Sequence, residues 1–596
     1  MVTFVLAPLL SVLALAATAY VAGRSLTRRL ATESAAERFA VSLTLGLAVL
    51  AHLGLLLGML SLLRRGPLII LMIGIHVAGA RCWLEAARDV RAVWRLLVRR
   101  MAWALIAVVP IAVLAFYPPT GFDALMYHLP FVRAFVRTGG LPFLADLRFP
   151  VFPQLNEVLF AETVLLGGGE LAPHLIELLM TLVTAVFLVV WGTRTFSREA
   201  AWTGVAVWAG NPIVVFLAGA AYIEAGLALF VTAALYASWR GREGGRGWRI
   251  LAAVLAGTGA GVKYLGLFFV AVVCLTAGRG APRGQRLRAI LLSSVVAVVV
   301  MAPTYGRIVA LTGNPVFPFL SRVFGASSWD PTWIYGQSVG ERLVALVRLP
   351  WDIVFARERV GNQPPFSPVY LLTLPLLVRG AVRDSRVRRL LVPAAAYILV
   401  SVALPADSRY LTAVLPVVSL ALGWVLVDLL QKMARSWRPI TAGLAVVLFL
   451  PGWLYAGYRI GRLGPVPVTA AGRERYLAAK LPVYPALQYL NRRFGNSYTV
   501  YAFHAENMRY LADGTFLGEW VGPASFLKLA PLVGDPESLH RELRVLGADH
   551  LLIVKGRGVE LPDTAETRRL FRRVWEDGTA EVYELTASPP APRPGR

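Results

Sequence analysis

Cysteine is almost absent. The 596-residue chain has two, Cys82 and Cys274, too few for a disulfide framework and without metal-binding spacing. Charge is scarce as well. Asp, Glu, Lys and Arg together make up 16% of the residues, against about 25% in an ordinary soluble domain. Lysine is especially sparse: the first in the chain is Lys263, and arginine does nearly all the other cationic work. Acids are outnumbered, 35 Asp and Glu against 60 Lys and Arg, for a formal charge of +25. That excess does not read as nucleic-acid binding, because the basic residues fall in short clusters between apolar runs. Such clusters set membrane topology and meet anionic headgroups. No internal repeat is visible. The first run, TFVLAPLLSVLALAATAYVAG, has no basic leader, so it is expected to be a retained span rather than a signal peptide.

Apolar residues fill the space that charge leaves. They make up 57% of the chain, and the mean hydropathy is +0.61. Runs long enough to cross a bilayer, about twenty residues each, recur from residue 3 to residue 456. The fold class is therefore a polytopic α-helical membrane protein. Orientation follows from arginine. The segment 81–100 holds six arginines and is expected to be cytoplasmic. The run 101–117 then goes outward, and the stretch GFDALMYHLP (121–130) lies in an extracytoplasmic loop, 118–170. Runs 171–191, 200–219 and 223–239 continue the alternation. As a single helix, 250–277 would place RGAPRGQRLR (279–288) outside. As two short segments meeting near Lys263, broken by Gly257, Gly259 and Gly261, it keeps that cluster inside. Runs 289–311, 366–378, 390–404, 409–430 and 439–456 follow, with a second outer loop at 312–365. The total is about fourteen spans if 1–80 contributes three, with Arg64 and Arg65 as a local exception on the outer side. The expected divisions are extra helices and an Arg-rich loop in 1–100, a membrane core in 101–456, an extracytoplasmic α/β domain in 457–588, and a disordered tail in 589–596. In the α/β domain, TVYAF (499–503), HLLIV (550–554) and AEVYEL (580–585) read as strands, and SLHRELRVLG (538–547) as a helix.

Ionisable and aromatic residues gather at successive outer ends of these spans. Asp123, Tyr127 and His128 stand in the first loop, followed by Glu157. Tyr222 and Glu224 stand at the next outer turn, Lys263 and Tyr264 at the apex between two short segments, and Arg409 and Tyr410 at the head of a late span. Each has a plainer reading. Asp123 is a natural helix cap. His128 is more readily a packed ring than a metal ligand. Tyrosines anchor membrane interfaces. Glu224 in an apolar segment is harder to dismiss, since a carboxylate at membrane depth costs about 2.5–3.5 kcal/mol on insertion scales. Taken together, two acids and two cations at the lipid boundary suit a lipid-phosphate donor. Arg or Lys would hold the phosphate, and an acid would take the proton of an incoming hydroxyl.

These same residues resemble the GT-C superfamily of integral-membrane glycosyltransferases, in particular the bacterial branch near the protein O-mannosyltransferases and aminoarabinose transferases. The resemblance covers about 101–456. It rests on Asp123 with its Tyr-His-Leu-Pro continuation, Tyr222-Ile223-Glu224, Lys263-Tyr264, Gly313-Asn314-Pro315 and Arg409-Tyr410, in that order. It implies a polyprenyl-phosphate-linked sugar donor, a lipid, glycan or protein acceptor, inversion at the anomeric carbon, Asp123 as catalytic base, and Lys263 and Arg409 on the donor phosphate. His128, Tyr127, Glu224, Tyr222, Glu157, Tyr264 and Tyr410 would position substrate. It also implies the cytoplasmic membrane of a bacterium, with the site facing outward. One departure matters. Many relatives carry two adjacent acids in the first loop, whereas Ala124 follows Asp123 here, so a second acid would have to be Glu157 or Glu224. No metal ligands are assigned, and a divalent cation is the one cofactor left open. Two other readings compete: a transporter or flippase of lipid-linked sugars, which would need polar residues near the bilayer midplane, and a non-catalytic glycan-binding scaffold.

Overall fold

The computed structural model describes residues 2–98, 102–243, 245–330, 336, 338–401, 404–433 and 438–586. The expected tail, 589–596, lies outside them. Among the described residues, five helices are long and apolar enough to cross a membrane: Phe4–Thr27, Ala35–Met59, Leu155–Thr195, Arg283–Thr312 and Leu415–Lys432. Two bent pairs bring the number to seven if each is one span. The chain is a multi-pass membrane protein. Other apolar segments of the sequence form helices outside that set, such as Glu224–Gly241, Arg246–Val262 and Gly266–Ala277.

The expected break at Lys263 is present. Helix Arg246–Val262 ends where Lys263 adopts an extended backbone, φ −155° and ψ 144°. A tight turn, with Gly266 N–H donating to Lys263 O at 2.8 Å, opens helix Gly266–Ala277. Glycine makes this turn fit. A Cβ on Gly266 would stand 2.4 Å from the backbone of Gly259 and Ala260. The run 200–219, expected to be one span, is instead bent by 75° between Arg198–Ala209 and Pro212–Ala218. The cause is local: Gly210 and Asn211 precede a proline, and the Asn211 side chain accepts from Ile213 N–H to start the second helix.

The segment 118–170 is largely helical. A π-turn, Ala124–His128, runs directly into helix Leu129–Thr138, and Leu155–Thr163 is buried throughout. The segment 312–365 carries helix Val339–Phe355, which starts at a reciprocal Ser338–Glu341 capping box. Along this helix Val339, Leu343, Val347 and Trp351 recur every fourth residue and are all exposed, a profile suited to lying on a membrane surface.

The five strands among the described residues lie near the C-terminus: β1 (Thr499–Phe503), β2 (Thr515–Leu517), β3 (His550–Val554), β4 (Phe571–Glu576) and β5 (Ala580–Leu585). Their order is β2-β1-β3-β5-β4, with β1 parallel to β2 and β3, and β5 antiparallel to β3 and β4. Side chains alternate along β1 as the pleat requires. Tyr501 and Phe503 pack with Leu539 and Leu543 of helix Pro536–Val545, while Val500 and Ala502 share a core with Leu487 and Leu490 of helix Tyr484–Phe494. The result is a small α/β domain, with the three expected strands and the expected helix in place. It sits against the 118–170 segment. The 3-10 turn Glu506–Leu511 packs on the π-turn Ala124–His128. Arg133 donates to the carbonyls of Tyr510 and Ala512, and Arg509 pairs with Asp146.

Candidate functional site

Asp123 stands just before the π-turn and does not cap it: its side chain makes no capping hydrogen bond. The carboxylate turns instead toward Tyr127 and Arg409. Tyr127 Oη donates to Oδ2 at 2.9 Å, one helical turn away, and Arg409 Nη1 donates to the same oxygen at 2.6 Å. The Asp123 backbone N–H points to Tyr222 Oη at 3.4 Å. Burial by itself would raise the Asp123 carboxyl, but Arg409, His128 and Tyr127 together outweigh burial and hold the group at about 2.

Arg409 is fixed from behind. Asp407, two residues earlier, accepts from Arg409 Nε at 3.0 Å and Nη2 at 2.7 Å, and its other oxygen accepts the Arg409 backbone N–H at 2.9 Å. The guanidinium lies over the Tyr222 ring, 5.3 Å from its centroid. Asp407 is a residue that the sequence reading passed over. Its signal was the Asp-Ser-Arg spacing within PADSR.

Glu224 opens helix Glu224–Gly241 and joins the two cations. Lys263 Nζ is 2.9 Å from Glu224 Oε1, and Arg409 Nη1 is 4.0 Å from the same oxygen. Lys263 also lies over the Tyr410 ring at 5.0 Å. Thus Asp123, Arg409, Glu224 and Lys263 form one chain of alternating charge, drawn from four separate segments. Beside it, His128 Nδ1 and Glu157 Oε1 are 2.6 Å apart, both buried. Tyr264 does not join the cluster; its hydroxyl donates to Phe317 O at 2.8 Å. A further acid unnoticed in the sequence, Glu177, accepts from Asn156 Nδ2 at 2.8 Å and from Ala225 N–H at 3.1 Å, steadying the start of the Glu224 helix. Among the described residues, no group of three or more His, Cys, Asp or Glu is arranged to hold a metal ion.

A family model described as dolichyl-phosphate-mannose-protein mannosyltransferase matches residues 158–306, and a second, described as SF2091/S2213, matches 472–584. No curated protein matches the chain. Among solved structures, ArnT from Cupriavidus metallidurans bound to undecaprenyl phosphate is similar over 82% of this chain and 99% of its own, with a TM-score of 0.51 and 16% identity. The apo form of that protein gives 0.50 and 16%, over 81% and 97%. AglB from Archaeoglobus fulgidus, in complex with an inhibitory peptide and a dolichol-phosphate, gives 0.46 and 11%, over 77% and 70%. The likeness runs over nearly the whole ArnT chain, and this chain carries the same fold.

Proposed function

We propose that this chain is an inverting glycosyltransferase that moves a sugar from a polyprenyl-phosphate donor to a hydroxyl acceptor. In this reading it crosses a bacterial inner membrane about fourteen times and works on the extracytoplasmic face. The observation that carries the reading is the Asp123–Arg409–Glu224–Lys263 cluster, in which each cation is held by a carboxylate and Arg409 is set beside the candidate base. The ArnT neighbour bound to undecaprenyl phosphate supports the donor class.

The chemistry follows from the exchange of partners. A donor phosphate entering the cluster takes Arg409 from Asp123 and Lys263 from Glu224, with Asp407 still holding the guanidinium in place. Asp123 is then free to accept the proton of an acceptor hydroxyl. The acceptor oxygen forms its bond to the anomeric carbon as the bond from that carbon to the phosphate oxygen breaks. Polyprenyl phosphate departs with its charge met by Arg409 and Lys263, so no protein acid is required. Attack from the face opposite the phosphate inverts the anomeric centre. Tyr127, Tyr222, His128 and Glu157 frame the base, and Tyr410 packs on Lys263.

The test is sugar transfer in native membranes from radiolabelled polyprenyl-phosphate sugars, with and without a chelator, for wild type, Asp123→Asn and Arg409→Ala. Loss of transfer by about 10²–10⁴-fold in Asp123→Asn, with donor binding kept, is expected. Arg409→Ala is expected to lose donor binding. Full transfer by Asp123→Asn would remove the base from Asp123 and turn attention to Glu224 or Glu157.

A further inference from the structure

Helix Glu224–Gly241 begins in the charge cluster and ends far from it. Trp239 is fifteen residues along, about 22 Å at the helical rise. A second cleft opens at that end, lined by Trp191, Thr195, Trp239, Arg242, Arg386 and Arg389 over an aliphatic floor. Its charges are unbalanced. Arg386 is satisfied, paired with Asp384 at 2.8 Å and lying over the rings of Phe196 and Trp424. Glu33 and Glu243, acids near this end of the helix, are held by Arg194 and Arg240. The charges acting on Arg242 are those of Arg279 and Arg389, both like its own.

The polar atoms of the cleft are also unanswered. Trp191 Nε1, Thr195 Oγ1 and Arg242 Nε are buried without a hydrogen-bond partner, and Trp191 is only 3% exposed. Indole and guanidinium nitrogens donate and never accept. A buried donor without an acceptor is costly. What completes this cleft must therefore bring acceptor oxygens and negative charge, and must tolerate an aliphatic floor within the membrane boundary.

We propose that the cleft binds the phosphate of an anionic membrane lipid in the leaflet opposite Asp123. The phosphate oxygens accept from Arg242, Arg389 and the Trp191 indole, and the first methylenes of the lipid lie on the aliphatic floor. The site is separate from the charge cluster and does not depend on the transfer chemistry.

The experiment uses the full chain purified in neutral detergent. Thermal unfolding and native mass spectrometry are followed on adding phosphatidylglycerol, phosphatidylcholine, undecaprenyl phosphate or inorganic phosphate. Phosphatidylglycerol is expected to raise the unfolding temperature where phosphatidylcholine does not, and to stay bound in the gas phase. Arg242→Ala/Arg389→Ala is expected to weaken it about tenfold or more. Trp191→Phe, which removes the indole donor with part of the ring, should weaken it less and serves if the double variant does not fold. Protection by undecaprenyl phosphate alone that Arg242→Ala/Arg389→Ala weakens would keep the phosphate site and name the polyprenyl lipid as its occupant; protection that the double variant leaves unchanged belongs to the charge cluster and would overturn the proposal. Equal protection by phosphatidylcholine or by inorganic phosphate, or unchanged binding in the variants that fold, would overturn the proposal.

Discussion

Arg409 Nη1 lies 2.6 Å from Asp123 Oδ2 across 286 residues of sequence, and the same guanidinium grips Asp407 at 2.7 Å. The two ends of this ion pair are therefore unequal. Without Asp123, Arg409 keeps Asp407. Without Arg409, Asp123 keeps a neutral hydroxyl, that of Tyr127.

Removing one partner of a buried ion pair costs about 3–5 kcal/mol. Arg409→Ala should fall in that range and Asp123→Asn well below it. Thermal or denaturant unfolding of the purified variants gives the order. Equal losses would mean that Asp407 does not share the load.

Against the opposing effect of burial, Arg409, with His128 and Tyr127, holds the Asp123 carboxyl at about 2, below its ordinary value of 3.8. A group depressed in this way contributes stability above its unfolded pKa and loses it as pH falls through the folded value. The ion pair should thus be intact at neutral pH and fail only in strong acid. In catalysis, kcat/KM reports the free enzyme and kcat the complex. If donor phosphate draws Arg409 away, the acid limb of kcat should sit at higher pH than that of kcat/KM. Coincident limbs would argue against the exchange of partners.

Much of this site was legible in the sequence because each residue stood at the end of an apolar run, where a charge is conspicuous. Asp123, Glu224, Lys263 and Arg409 were found in that way, and the break at Lys263 followed from glycines and the arginine rule. Pairing was not legible. Which acid meets which cation depends on how four distant segments pack, and Asp407 was hidden beside the more conspicuous Arg409. Tyr264 looked equivalent to Tyr222, yet the turn after Lys263 directs it to Phe317. In the C-terminal domain, strands with a continuous apolar run were visible. The strand Phe571–Glu576 was not, since Arg572 and Arg573 are exposed on a strand at the sheet edge.

The Lys263 turn depends on a contact that only glycine permits. An Ala at Gly266 would place its Cβ 2.4 Å from the backbone of Gly259. Gly266→Ala should destabilise by about 1–3 kcal/mol and raise the donor KM by displacing Lys263. Gly306→Ala, where a Cβ meets nothing within 4 Å, is the control and should be neutral or slightly stabilising. Similar effects from both would remove the hairpin from the account.

Glu162 is a different kind of acid. It is fully buried, both its oxygens lack a hydrogen-bond partner, and a Cβ on Gly54 would sit 2.2 Å from one of them. Nothing in the transfer chemistry uses it. Glu162→Met, similar in length and apolar, should stabilise the protein by about 1–3 kcal/mol and leave transfer unchanged. A loss of stability would show that the carboxyl has a partner to keep.

The seam at Arg133 binds the C-terminal α/β domain to the π-turn that follows Asp123. Arg133 sits on the helix that continues directly from Ala124–His128 and gives its guanidinium hydrogens to the carbonyls of Tyr510 and Ala512. The aspartate and the small domain therefore share one lever. A cut that removed the domain would strip two acceptors from a guanidinium at the end of that lever, and the fault would be felt at the base. Swapping this domain between relatives would then mean exchanging the helix at 129–138 with it, so that hinge and arm travel as a single inherited part.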